Sequence, residues 1–543
     1  MVCLNVYLVC KNLPQRFFIS LCGIFVIWIK KQSYIIADAV CKGGIIQMEL
    51  IRNSVACYDI ILDKLSTYEE STDAIVPDTY PDIARIAYAD GMVNMKEESP
   101  QNDRILVSGT VNTSVLYQPE GENTLKRLDV PVSFAYIEEI RGCNSESKCF
   151  VRCTVANVKA HAVNSRKMSV TVRLCFEITA YQKGELCFTQ SIQPSNEQLE
   201  VLYQNNEISL LKQVQNCEFT VLDDIEWKHS EDLELLHTDC NVRQTEVRAN
   251  NGRLLLRGEA SMQMLMRDDT GSIEQVSKIV PFTQMIDMEG ITEGEKLDVR
   301  LAVCSLDCVL APDDILSVGI GVRATVLGDQ VHTVQTIRDL YERKHQLQVQ
   351  IKQVPVQTCK LGGRFSADGA DTIPIGMKVM QYLSSKAVCT GIQIESSEQA
   401  RIKTEVDILY LDEENSLFQT HRTVHFPIKL SSPEGVSPSD IQVNITISPS
   451  SEDSVSIYAN AVGAYCGRKK QTIQDITAVT LGAEREKTMS GVTLVLRRVD
   501  EGEQLWDIAR QYATTMSAIR NANNLSGDAQ PAKEQMLLIP LEQ

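Results

Sequence analysis

The sequence predicts a mainly β protein made of three tandem antiparallel units, each sandwich-like, followed by a small C-terminal βααβ module. Three observations predict it. First, Arg104 to Tyr117 alternates strictly, with Val107, Gly109, Val111, Thr113, Val115 and Tyr117 on one side and Ser108, Thr110, Asn112 and Ser114 on the other. That period of two belongs to a strand with one buried face. Second, the pattern returns from Arg253, with Leu256, Gly258, Ala260, Met262, Met264 and Met266 inward, and again with Ile402, Thr404, Val406, Ile408 and Tyr410 inward. Arginine and glycine keep register in the first two copies, and Ile402 stands where the third would have its glycine. Third, each such strand is followed at a similar distance by a proline inside an apolar run: Val130-Pro131-Val132, Val280-Pro281-Phe282 and Phe426-Pro427-Ile428. Two markers with one spacing give a period of roughly 150 residues, the size of a domain rather than of a solenoid repeat.

Taken in order, Glu49 to Leu65 reads as an amphipathic helix through Ile51, Val55, Tyr58, Ile61, Leu62 and Leu65. Ser66 to Thr79 reads as a linker, and Pro81 to Ile86 as a short helix with Asp82 in its first turn. The first repeated strand pairs with Lys126–Ile137 across the polar turn Gln118–Asn123. Cys153–His161 and Ser169–Tyr181 form a second hairpin joined near Asn164-Ser165. The later hairpins are Asp298–Leu306 with Ile315–Val326, turning at Ala311–Asp314, and Ile441–Ile447 with Val455–Tyr465, turning at Ser448–Asp453. Short helices are expected between units. The expected divisions are residues 48–75 for helix and linker, 76–215, 216–355 and 356–485 for the three units, and 492–543 for the module.

A chain of 543 residues needs several cores, and its 43% hydrophobic and 23% charged residues are those of an ordinary folded protein. The net charge is −18, and residues 1–47, with five Lys or Arg and one acidic residue, leave the remainder at −22. An acidic surface with no Lys/Arg run longer than three residues argues against nucleic acid as a partner. The seventeen cysteines are scattered and contain no CxxC, which suits buried thiols in a reducing compartment. Of the seven histidines only His421 and His425 are close, and no metal-ligand spacing accompanies them. The sequence holds no GxxxxGK[ST], GxSxG or HExxH. Asp412-Glu413-Glu414 reads as a solvated turn, and Met262, Met264 and Met266 read as core. No catalytic residue, metal site or cofactor is expected, and the chain is expected not to be an enzyme.

Residues 1–47 hold one apolar run, Phe17–Ile29, between Arg16 and Lys30-Lys31. As a helix it would be about 20 Å long against about 30 Å of hydrocarbon, so no integral membrane span is expected. A weak signal peptide ending near Ala37-Asp38-Ala39 is one reading. The preferred reading is translation from Met48, because Lys42-Gly43-Gly44 is encodable as a purine-rich ribosome-binding tract at a suitable distance upstream.

The last fifty residues carry the most specific signature. A strand at Thr493–Val499 leads to Gly502-Glu503-Gln504-Leu505 and Trp506-Asp507-Ile508-Ala509, where Leu505, Ile508, Ala509 and Tyr512 share one helical face. Ile519-Arg520-Asn521-Ala522-Asn523-Asn524-Leu525 and a closing strand through Ile539-Pro540 follow. This stretch closely resembles a LysM module. The resemblance implies structural roles for Trp506, Ile508, Ala509, Tyr512, Ile519, Ile539 and Pro540. It implies binding by loops that include Gly502, Glu503, Gln504, Leu505, Asn521, Asn523 and Asn524, either to N-acetylglucosamine chains such as peptidoglycan or to a protein. Glu503-Gln504 replaces the family's Asp-Thr, and the usual glycine near Glu534 is missing. With this module at the end, the three units and the Pro81-Asp82-Ile83 region resemble the SPOCS family of spore-coat-associated repeats. Together these imply a non-enzymatic scaffold in the mother-cell cytosol at the forespore surface, in the spore coat, partnered with an ATP-hydrolysing coat morphogenetic protein and other coat proteins. The other implied class is a peptidoglycan-binding wall protein.

Overall fold

The computed structural model describes residues 46–121, 124–193, 198–226, 233–268, 271–311, 315–396, 399–429, 436–451, 454–486, 491–527 and 529–541. The expectations for residues 1–45 and for parts of the turns at 118–123, 311–314 and 448–453 lie outside them.

Alternating β-branched and aromatic residues set the strands, and hydrogen-bond pairing sorts those strands into three units of one topology. After a two-residue strand β1 (Ile46–Gln47), the first unit has a long strand β2 (Glu49–Ile75) and a meander of β3 (Ile83–Gln101), β4 (Arg104–Pro119) and β5 (Lys126–Glu139). It ends in the hairpin of β6 (Lys148–Asn164) and β7 (Lys167–Gln193), with β2 paired to β7. The second unit repeats this with β8 (Leu199–Glu226), the meander β9 (Glu234–Asn250), β10 (Arg253–Arg267) and β11 (Ile273–Asp287), and the hairpin β12 (Leu297–Ala311) and β13 (Ile315–Glu342). The third has β14 (His345–Pro374), the meander β15 (Val379–Ile394), β16 (Gln399–Asp412) and β17 (Leu417–Lys429), and the hairpin β18 (Val436–Ser451) and β19 (Ser454–Glu484). In every unit the meander lies face to face with the hairpin sheet around one core.

The repeated marker strands β4, β10 and β16 are each the middle strand of a meander, and their inward faces are fully buried. Met262, Met264 and Met266 are core. Gly109 lies under the ring of Phe134 and Gly258 under that of Phe282, where an added Cβ would come within 2.8 Å and 2.3 Å of ring carbon. In the third unit Phe426 is again opposite, across from Ile402, but its ring lies over Gly369 of β14 instead. Pro131, Pro281 and Pro427 all fall on β5, β11 and β17, the outer strands, where a missing N–H leaves no ladder bond unmade.

Five expectations are corrected. Glu49–Leu65 is not a helix: it is the first part of β2, which pairs with β7 throughout. The pairing skips Gln190 of β7 opposite Ile51/Arg52 and Ile61 of β2 between Ile60 and Leu62; the extra residue in β2 flips which residues face inward, and that flip turns a period of two into spacing that imitates a helix. Ser66–Ile75 is the continuation of the same strand rather than a linker. Pro81–Ile86 is no helix either, since β3 begins at Ile83 with shifts at Ile83/Arg85 and Ile86/Tyr88, and Asp82 accepts from Arg166 at 3.0 Å. Among the described residues both helices lie in the C-terminal module, so none joins the units. The pairing sets repeats at 49–193, 199–342 and 345–484, and breaks at 215/216 and 355/356 fall within β8 and β14. The marker strands sit mid-unit, so they carry the period but not the phase.

The three units surround a common axis. The bulge residues Ala87, Leu236 and Leu383, skipped at equivalent points of β3, β9 and β15, meet in one apolar cluster with Leu116, Leu265 and Leu409. Three residues further on in each strand stand Asp90, Asp239 and Lys386, and the Lys386 ammonium lies 3.4 Å from Asp90 and 3.3 Å from Asp239. A second polar joint involves all three units. Arg152 donates to Glu177 at 3.0 Å, to the Leu301 carbonyl at 2.6 Å and to Asp440. The ring closes through β1, which pairs with Thr480 and Leu481 of β19.

The axial network extends to His421, whose Nδ1 is 2.9 Å from Asp407 and Nε2 2.5 Å from Glu405. Burial alone would hold the imidazolium down. Hydrogen bonds and charge from Asp407 and Glu405 outweigh it, so the pKa is raised from 6.5. A raised folded value means that this stabilisation is complete below the unfolded pKa and is lost as pH rises through the folded one. His421→Gln is therefore expected to flatten the decline of urea stability over about pH 5.5 to 8.5, and an unchanged slope would refute the assignment.

Candidate docking site

The C-terminal module is built from β20 (Leu494–Arg498), α1 (Leu505–Gln511), α2 (Met516–Asn523) and β21 (Met536–Pro540), with β20 and β21 antiparallel. Gly502, at φ +79°, makes the sharp turn from strand to helix. Leu505, Trp506, Ile508, Ala509, Ile519, Leu537 and Ile539 form its core, with Tyr512 packed at the margin and Pro540 half-buried.

The loop residues divide by what their atoms do. Leu505 is fully buried. Asn523 is committed internally: its side-chain nitrogen donates to the carbonyls of Ile519 (2.7 Å) and Leu538 (2.6 Å), and its oxygen accepts from the Leu538 N–H (2.7 Å). Asn524, at φ +51°, ends α2 in the left-handed conformation that asparagine tolerates. Glu503 accepts from Arg497 at 2.6 Å and from the Asp500 N–H at 3.3 Å. Gln504, Asn521 and Asn524 are exposed.

The two departures from the family pattern have visible consequences. Gln504 stands at the N-cap of α1 without making a cap hydrogen bond, whereas Thr515 caps α2 through the Ala518 N–H at 2.9 Å. The Leu505 N–H is taken instead by Gln530 from the opposite loop, at 3.1 Å. A second link, Lys533 to Glu501 at 2.6 Å, joins the same two loops. Glu534, where a glycine is expected, adopts φ +66°, a conformation that costs a side-chain-bearing residue about 1 kcal/mol.

The module is seated on the second unit, a contact that its own sequence does not announce. Asp339 of β13 accepts from the Trp506 indole N–H at 2.8 Å and from Arg510 at 2.8 Å. Tyr341 donates its hydroxyl to the Thr514 carbonyl at 2.6 Å and meets the Trp506 ring edge-on at 4.9 Å. Leu202 of β8 packs against the same cluster. Asp339, Tyr341 and Leu202 have no motif around them, so the sequence offered no signal for them. Trp506 serves both the module core and this joint.

A cavity lies elsewhere, on the axis between the units, with a volume of about 690 Å³. The charged groups on its wall, among them Arg152, Glu177, Asp440, Asp239 and Lys386, are engaged with one another across unit boundaries. The thirteen described cysteines are all free thiols, and most are buried. Among the described residues no group of three or more His, Cys, Asp or Glu is arranged to hold a metal ion, and no helix is long and apolar enough to cross a membrane.

Comparison with protein families gives two matches. The SPOCS domain of SipL matches residues 82–163 and 233–311, and the LysM domain matches 498–540. The chain thus carries spore-coat-type SPOCS domains and a LysM domain, a combination tied to sporulation. The matched SPOCS stretches run from β3 to the end of β6 and from just before β9 to the end of β12. The third unit lies outside these matches and shows the same strand order. Searches of curated proteins and of solved structures return no match.

Proposed function

We propose that this chain, with its SPOCS and LysM domains, is a non-enzymatic adaptor in spore-coat assembly. The three β units form a rigid body, and the LysM module is the head that docks to an ATP-hydrolysing coat morphogenetic protein at the forespore surface in the mother cell. The observation that carries the reading is the state of the LysM loops. Gln530 and Lys533 span the gap between them, and Asn523 and Leu505 are used internally, which favours a protein-binding surface over a sugar groove. Mounting the module on Asp339 and Tyr341 fixes the orientation of the head relative to the body, as an adaptor requires. Peptidoglycan binding is the second reading, and the LysM match itself supports it.

Binding of the purified full-length chain to the coat ATPase and, separately, to peptidoglycan sacculi distinguishes the two. The adaptor reading expects saturable binding to the ATPase and little retention on sacculi. Strong retention on sacculi that is lost on changing Glu503 and Gln504, with no ATPase binding, would reverse it.

A further inference from the structure

The two outer edges of the LysM sheet are treated differently. On β21, Leu538 has both backbone groups taken by the Asn523 side chain, and Pro540 has no N–H to offer. That edge is closed. On β20, the bonds Leu541 N–H to Thr493 and Val499 N–H to Gln535 set the phase of the ladder, so odd-numbered residues face β21. The N–H and C=O groups of Leu494, Leu496 and Arg498 therefore point the other way, and among the described residues no strand pairs with them. Their side chains share the face that the helices do not cover, where Leu494 is 50% and Leu496 60% exposed, continuous with Met536 at 51%.

We propose that β20 is a strand-addition site that takes an extended segment of the partner protein as a third strand, a mode that rests on the adaptor reading. Unpaired backbone donors and acceptors in a row are matched by an extended peptide, and neither a helix nor a sugar chain can satisfy them in register. The incoming strand carries aliphatic residues at alternate positions to cover Leu494 and Leu496, and runs past Arg498, whose charge is already met by Glu534 at 2.8 Å. A second copy of this chain is a poorer occupant, because each copy brings a net charge of −18.

The test uses the full-length chain with the purified coat ATPase as probe. Leu496→Pro deletes an edge N–H without touching the β20–β21 ladder, and Leu496→Thr keeps the N–H but removes the aliphatic group. The expected result is about ten-fold or greater weakening for the proline variant and several-fold for the threonine variant, with thermal unfolding unchanged. Hydrogen exchange at Leu494, Leu496 and Arg498 should slow in the complex. If the proline variant misfolds, the threonine variant and the exchange data decide. Parental affinity in both variants together with unprotected β20 amides would overturn the strand-addition site and leave the adaptor reading standing. Dimerisation of the parent that Leu496→Pro abolishes would reassign the edge to a second copy and overturn the proposal. Failure of the parent to bind the ATPase would remove the adaptor reading and this inference with it.

Discussion

Lys386→Met is expected to destabilise the three-unit body by about 3–5 kcal/mol, the cost of leaving buried charge without its partner. Lys386 is nearly enclosed, with 14% of its side chain exposed, and lies against Asp90 and Asp239, with Asp407 opposite it on the next strand. Burial would suppress its ammonium, yet Asp239, Asp90 and Asp407 together raise its pKa well above the ordinary lysine value. Methionine has nearly the same length, so packing is kept and the charge alone is removed. The three aspartates would then repel across three different strands without the cation between them. The deficit should therefore shrink as pH falls and the carboxyls take up protons. Urea unfolding at neutral and mildly acidic pH checks this, and adding Asp239→Leu should recover much of the loss because it removes one of the stranded charges. A neutral effect at pH 7 would show that the axis is held by its apolar layer alone.

Trp506→Ala is expected to cost about 3–5 kcal/mol within the LysM module, comparable to everything so small a domain has to hold it together. The module should lose its own melting transition while the β body keeps its transition, a split visible by calorimetry. The change also deletes the joint with Asp339 and Tyr341, so binding lost in this variant has two explanations. Asp339→Ala separates them. It removes the acceptor shared by Trp506 and Arg510 from the body and leaves the module core whole. Its cost should be about 1–3 kcal/mol, read as faster proteolysis in the segment before β20 with the module itself still folded. If Asp339→Ala abolished the module's transition, the module would have no stability apart from its seat.

Strands with uninterrupted alternation were legible in the sequence, and those broken by bulges were not. β4, β10 and β16 keep a period of two along their length, so the buried face could be read residue by residue. In β2 and β3 single skipped residues shift the inward phase, and local pattern reading turns the shift into a helix. One residue skipped in β3, Ala87, meets its counterparts Leu236 of β9 and Leu383 of β15 in the axial cluster, so a feature that obscured β3 is one that joins the units. The LysM module was legible because its turn glycine, its helical face and its closing Ile-Pro lie close together in sequence. The seat on Asp339 and Tyr341 was not, since it depends on residues more than 150 positions away whose identities suit a surface strand equally well. The axial salt bridges were hidden for the same reason: Asp90, Asp239 and Lys386 look like solvated charges until three strands bring them together.

The prolines on β5, β11 and β17 bear on self-association. A protein whose sheets end in open rims risks zipping to its own kind, rim against rim, into fibres. Pro131 and Pro281 interrupt their rims near mid-strand and Pro427 interrupts its rim near the end of β17, so copies can stand shoulder to shoulder without growing into one another.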